Sequence, residues 1–181
     1  MSVRVLVPLA AGFEEIEAVT VIDVLRRAGA EVVVAGLEAG PVKASRGVVV
    51  VPDTTIAAAL EQSYDAVVLP GGMPGATHLA ADPRVRTALA RAREQGRVIG
   101  AICAAPAVVL GALGYLDGKH ATCHPSFASQ LALHGAGRVV IDGNLVTSQG
   151  PGTALEFALE LVRVLMGGEK ADQVAKPMIV E

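Results

Sequence analysis

Short apolar runs alternate with longer amphipathic stretches along this chain. Val3 to Leu9 is a run of Val and Leu broken only by Arg4 and Pro8, the length and character of a strand buried on both faces. Glu14 to Ala28 repeats its apolar positions at helical spacing, and Gly29 closes it. The alternation continues with a strand over Glu31–Ala35, a strand-like run over Val48–Val51, and a short alanine-rich helix capped by Asp53 and ending near Glu61. Ala66–Leu69 is a further strand, Asp82-Pro83 opens a polar helix reaching about Gln95, and the run Arg97–Ile102 passes directly into the helix-forming residues Ala104–Leu110. Ala121–Cys123 reads as a short strand. Val139–Ile141 and Leu145–Ser148 read as a hairpin turning at Asp142-Gly143-Asn144, and Thr153–Met166 as an apolar helix ended by Gly167-Gly168. This order predicts an α/β fold, a mostly parallel sheet with helices on both faces and right-handed crossovers. In such sheets ligands bind beyond the carboxyl ends of the strands, where the loops after Leu9 and Leu69 and the turn at Cys103 should converge.

Those loops carry the candidate chemistry. Cys103 lies between a strand and a helix, where a tight turn presents a side chain beside the free N–H groups of a helix end. The same helix end is expected to depress the thiol pKa, making Cys103 the more acidic and more reactive of the two cysteines. Gly71 and Gly72, in Leu69-Pro70-Gly71-Gly72, can aim backbone N–H groups at a bound oxygen. Their spacing is not a dinucleotide fingerprint, no helix is expected to open immediately after them, and the chain has no Walker sequence. Glu14, Glu15 and Glu17 open the first helix. Glu17 heads the apolar row Val21, Val24 and Ala28, so its carboxyl should be desolvated and protonated, able to donate to a thiolate; periodicity alone does not choose between it and Glu14. His124 precedes Pro125 at a strand end, within reach of the Cys103 turn as a base. His120, Cys123 and His124 do not complete a metal tetrahedron, and Cys123 reads as structural.

Composition narrows the classes. The chain has 181 residues, 52% hydrophobic, enough to bury one substantial core, and is read as a single domain over residues 1–181. A net charge of -3 with dispersed basic residues and no Trp argues against a nucleic-acid partner. Mean hydropathy is +0.50, yet no run approaches the roughly 18 apolar residues of a membrane span, so buried parallel strands account for it. No secretory pattern opens the chain. A cytoplasmic setting is expected, with both thiols free.

Five stretches, in order, then identify a family: Gly12-Phe13-Glu14-Glu15-Ile16-Glu17, Leu69-Pro70-Gly71-Gly72, Ala101-Ile102-Cys103-Ala104-Ala105-Pro106, His124-Pro125, and Thr147-Ser148-Gln149-Gly150-Pro151-Gly152-Thr153. Together they resemble the ThiJ/PfpI superfamily, nearest to the branch of the parkinsonism-associated deglycase and its bacterial relative YajL. The resemblance implies a flavodoxin-like three-layer sandwich of the class I glutamine amidotransferase type, usually a homodimer. It implies Cys103 at a nucleophile elbow with Glu17 hydrogen-bonded to its sulfur, and an oxyanion pocket made by the N–H groups of Gly71, Gly72 and Ala104. Arg27 and Arg46 match arginines near the dimer interface and the mouth of the site in relatives. Two departures stand out: Ala104 replaces the histidine that follows the cysteine in the peptidase branch, and Gln149 replaces the arginine of human-like members. The implied activity is a glutathione-independent glyoxalase or deglycase acting on glyoxal, methylglyoxal or early glycation adducts, without cofactor or metal. A redox-responsive stress chaperone or sensor oxidised at Cys103 is the second reading. A PfpI-type peptidase or amidotransferase-type hydrolase comes last, for want of a His-Glu pair.

Overall fold

A computed structural model describes residues 2–180. Its elements, in chain order, are β1 (Arg4–Leu9), α1 (Glu15–Arg27), β2 (Glu31–Gly36), β3 (Val42–Lys43), β4 (Val49–Val50), β5 (Thr54–Thr55), α2 (Ile56–Ala59), β6 (Ala66–Leu69), α3 (Gly75–Ala81), α4 (Pro83–Glu94), β7 (Val98–Ile102), β8 (Val139–Asp142), β9 (Leu145–Ser148), α5 (Ala154–Met166) and α6 (Gly168–Ala175). Seven strands form one sheet in the order β5-β2-β1-β6-β7-β9-β8, parallel throughout except for the β8–β9 hairpin. Alternate residues of β1 divide the core: Val5, Val7 and Leu9 pack with α1, α5 and α6, while Leu6 packs with α2, α3 and α4 on the opposite face. Two apolar layers on one sheet make a flavodoxin-like three-layer sandwich, and explain why the central strands read as unbroken Val, Ile and Leu runs. Burial of each such side chain contributes about 1.5–3 kcal/mol.

The sheet's ends fix the site. The chain steps left from β1 to β2 and β5, then returns to the right of β1 at β6. The loops after β1 and β6 therefore diverge at a switch point and lock together there: Glu14 N–H donates to Gly71 O at 2.9 Å and Gly75 N–H to Gly12 O at 3.3 Å.

Several elements differ from the sequence expectation, each for a local reason. Val48–Val51 is no strand of the main sheet: Val49–Val50 pairs antiparallel with Val42–Lys43 in a separate ribbon. Asp53 does not cap the following helix. Its carboxylate accepts from Val34 N–H at 2.9 Å and meets Arg26, and Thr55 Oγ1 is the cap instead. A helix, α3, begins at Gly75, only three residues after Gly72. Ala121–Cys123 contributes a single bridge, Ala121 to His134, in place of a strand. The helix after Cys103 is a π-type turn over Pro106–Gly111 rather than an ordinary α-helix. Gly167, at φ 92°, turns the chain, and α6 starts straight after it at Gly168. No helix among the described residues is long and apolar enough to cross a membrane.

Candidate active site

β7 delivers Cys103. Its N–H donates to Ser148 O on β9 at 2.9 Å and its carbonyl accepts from His124 N–H at 2.8 Å, while its own φ is 65°. A left-handed non-glycine residue stores on the order of 1–3 kcal/mol of strain, held here by the sheet on one side and the π-type turn on the other. The result is a sharp elbow that leaves the sulfur partly exposed among otherwise buried neighbours.

α1 delivers the carboxyl group, and here the structure separates the glutamates that helical spacing could not. Glu14 is the N-cap: its side chain turns back and accepts from Glu17 N–H at 2.8 Å. Glu15 points to the β3–β4 ribbon, accepting from Ser45 Oγ at 3.0 Å and Arg46 N–H at 2.9 Å. Glu17 alone enters the core, with no exposed surface. Its Oε2 accepts from Gly71 N–H at 2.8 Å, its Oε1 is buried with no hydrogen-bond partner among the described residues, and the carboxyl faces the Cys103 thiol. Burial, helped by the charge of Glu14, lifts the Glu17 carboxyl to about 7, against the opposing pull of the Gly71 N–H and Cys103.

The Cys103 thiol is likewise displaced upward. Burial first, then the Glu17 charge and hydrogen bond, push it up to about 12, while the N–H groups of Gly72 and Ala104, both directed at the sulfur, pull it down. This corrects the expectation of a thiol made acidic by its helix end alone. Cys123 is pushed up to about 11 by burial only, so an ionised Glu17 leaves Cys103 no more acidic than Cys123. Two groups that each resist a second negative charge behave as one unit: the pair holds two protons below about 7 and a single one between about 7 and about 12.

The oxyanion pocket also needs correction. Gly71 N–H is committed to Glu17, so Gly72 and Ala104 are the amides that face the Cys103 sulfur. Gly71 is needed for room: a Cβ there would lie 2.6 Å from Cys103 Cβ and 2.9 Å from Glu17 Oε2. His124 is joined to the elbow through its main chain, but its ring is turned to cap the short helix that follows, Nδ1 accepting from Ser126 N–H at 3.2 Å. That bond occupies one nitrogen and argues against the expected role as base. Gly150 lines the other side of the ring, where a Cβ would stand 3.6 Å from His124 Cδ2.

Ser148 and Thr153, which stand in the fifth family stretch but were given no role from the sequence, shape this wall. Their hydroxyls lie 2.6 Å apart, and Gly150 N–H donates to Thr153 Oγ1 at 3.0 Å. The Ser-x-Gly-Pro-Gly-Thr spacing was the available signal, since hydroxyl side chains beside paired glycines commonly tie down a loop. Arg27 and Arg46 are both exposed; Arg27 pairs with Asp23 in the last turns of α1, and Arg46 is anchored by its backbone to Glu15. Cys103 and Cys123 are both free thiols. No group of three His, Cys, Asp or Glu side chains among the described residues is placed to hold a metal.

Comparison with known proteins places this geometry. The model of the DJ-1/PfpI family matches residues 3–177. The chain belongs to the DJ-1/PfpI family. Protein DJ-1 homolog B of Arabidopsis thaliana is 47% identical over 98% of the chain, though the match spans 41% of that longer protein. A Caenorhabditis elegans family member, glutathione-independent glyoxalase DJR-1.2, is 39% identical, the alignment covering 91% of this chain and 89% of the worm protein. The structure of oxidised Toxoplasma gondii DJ-1 superimposes with a TM-score of 0.97 at 46% identity, covering 99% of both chains. The flavodoxin-like fold read from the strand order is thus the fold of solved DJ-1 proteins.

Proposed function

We propose that this DJ-1 family member is a glutathione-independent glyoxalase with deglycase-type reactivity, acting on glyoxal, methylglyoxal or their early glycation adducts through Cys103. The observation that carries the reading is the fully buried Glu17 carboxyl set against a thiol that also faces two backbone N–H groups. With methylglyoxal, the Cys103 sulfur adds to the aldehyde carbon, the C=O π bond opens, and the proton held by the pair passes to the new oxygen, which the Gly72 and Ala104 N–H groups stabilise. The Glu17 carboxylate then removes the hydrogen of that carbon as a proton and returns it to the neighbouring, former ketone carbon, while the hydroxyl proton on the first carbon's oxygen passes to the former ketone oxygen and the first carbon regains its C=O. This leaves a 2-hydroxy thioester on Cys103. Water cleaves the thioester, releasing lactate and the thiol, so the sum is methylglyoxal plus water giving lactate and a proton. The name of the worm relative supports the class of reaction, and adducts that reverse to a free aldehyde enter by the same first step.

A homodimer is part of this reading. Ile16 and Val19 on α1 are exposed, 55% and 46%, and Glu15 fastens the ribbon carrying exposed Val48 and Val49 beside them, giving an apolar surface suited to a second copy. The second functional reading, a peroxide-responsive sensor or chaperone, draws support from the same carboxyl, which can hydrogen-bond a sulfinate formed when peroxide oxidises the thiol. Assay of the purified protein with methylglyoxal and no glutathione separates the two. Lactate formation is expected. Its absence, with undiminished suppression of a client's aggregation, favours the sensor reading.

A further inference from the structure

Two histidines of the chain hold opposite tautomers. His78 has Nδ1 3.1 Å from Ala11 O, an arrangement that requires a proton on Nδ1. His124 has Nδ1 3.2 Å from Ser126 N–H, which requires a lone pair there and leaves the ring proton on Nε2. The His124 ring is held in that pose. It caps the short helix over Pro125–Gln130, Phe127 meets it edge-on with centroids 6.5 Å apart at 68°, and Gly150 flanks Cδ2. To accept a proton at Nε2 the ring would first place an Nδ1–H against the Ser126 N–H, losing the cap and setting two donors face to face.

We infer that His124 serves the site as a fixed hydrogen-bond donor through Nε2–H, and that the group it takes is the second carbonyl oxygen of a vicinal dicarbonyl bound to Cys103. The His124 main chain is bonded to the Cys103 carbonyl, and Cδ2, the ring atom next to Nε2, lies against Gly150 in the loop after β9; Nε2 is the ring nitrogen left for a ligand. The ligand assignment rests on the aldehyde reading above. In that reaction Gly72 and Ala104 serve the oxygen on the attacked carbon, while negative charge also develops on the neighbouring oxygen as Glu17 removes the carbon-bound hydrogen. A neutral N–H aimed there stabilises that charge without moving a proton. A base at the same place would compete with Glu17.

The tautomer is measured first, without substrate, by long-range 1H–15N correlation spectra at about pH 8, where free imidazole is neutral. His124 is expected to show a protonated Nε2 and a bare Nδ1, with His78 as the internal opposite. A bare Nε2 on His124 overturns the inference whatever the enzyme does. Kinetics with methylglyoxal then test the donor role. Removing one such donor typically lowers kcat by about 100- to 1,000-fold, so His124→Ala should lose at least about 100-fold. His124→Gln keeps an N–H donor and cannot act as a base, and it should recover turnover to within about tenfold of wild type. Equal losses in His124→Ala and His124→Gln, in protein whose melting is unchanged, assign the ring to proton transfer and contradict the donor role. Wild-type protein that makes no lactate sinks the aldehyde reading and the ligand with it, while the spectra still decide the tautomer.

Discussion

Cys103 and Cys123 sit on either side of a single backbone hydrogen bond, from His124 N–H to Cys103 O, yet they are different chemical objects. Cys123 is buried, its sulfur donates to the His124 carbonyl at 3.4 Å, and burial alone keeps it a thiol. Cys103 is held at a positive φ with a carboxyl on one side and two N–H groups on the other. Burial raises both pKa values, so desolvation cannot be what distinguishes them. The distinction is that the Cys103 proton has somewhere to go, and the thiolate it leaves has donors to meet it. In the proposed reaction Cys103 owes its reactivity to a partner that exchanges its proton, not to an intrinsically acidic thiol.

The sharpest way to break the comparison is to remove each sulfur. Cys103→Ala is expected to abolish lactate formation from methylglyoxal, whereas Cys123→Ala keeps turnover within about twofold, since it loses only a small buried contact of about 1 kcal/mol. Comparable loss in both variants would erase the distinction. Next in size is the carboxyl. Glu17→Gln keeps a donor toward the sulfur but cannot carry the proton between carbons, so turnover should fall at least about 100-fold while a Cys103 hemithioacetal accumulates and is seen by mass after reductive trapping. Glu17→Asp shortens the reach and should impair both adduct formation and turnover. Near wild-type rates in Glu17→Gln would remove it from proton transfer.

How far the sequence revealed this arrangement depends on the kind of signal. β1, β6 and β7 were legible because strands covered on both faces must be continuously apolar, and Cys103 was legible because one of those runs ends on it. Helical spacing left Glu14 and Glu17 open, with Glu14 nearer the centre of the apolar face, and the family resemblance named Glu17; the physical reason is the loop geometry that turns Glu14 into the N-cap and sends Glu17 inward. Gly71 was assigned to the oxyanion pocket because a glycine pair advertises free amides, whereas the partner of each amide is decided by tertiary packing. α3 and α6 were missed because each opens on a glycine, a residue that ordinarily closes a helix, and the Thr and His of α3 are weak helix formers. The tautomer of His124 depends on a cap two residues downstream, which Pro125 hints at but does not settle.

A smaller effect tests the pair through stability. The Glu17 carboxyl is raised from 4.5 to about 7 in the folded protein, so between those values the native state holds a proton that the unfolded chain releases. Its contribution is therefore present in full below the lower value and is lost as the pH rises through the upper one, by about 3 kcal/mol at most. Denaturant midpoints should decline across that window in the wild type, and Glu17→Gln should flatten the decline. An unchanged slope in the variant would mean that other groups dominate the titration. Smaller still is Val49→Asp on the exposed ribbon, expected to shift light scattering from the mass of a dimer to that of a monomer at micromolar concentration; a mass that stays dimeric places the interface elsewhere.

The central claim is that Cys103 and Glu17 hold one proton in common, and the pH dependence of Cys103 alkylation tests it most directly. With iodoacetamide and mass mapping, the Cys103 rate in the wild type should climb through about 7, where the pair loses the first of its two protons, and then hold level across the alkaline range below about 12. In Glu17→Gln that inflection should vanish and be replaced by one above the ordinary thiol value of about 8.5, with Cys123 slow in both proteins. A single inflection near the ordinary thiol value, identical in wild type and Glu17→Gln, would show that Cys103 titrates alone and would contradict the account.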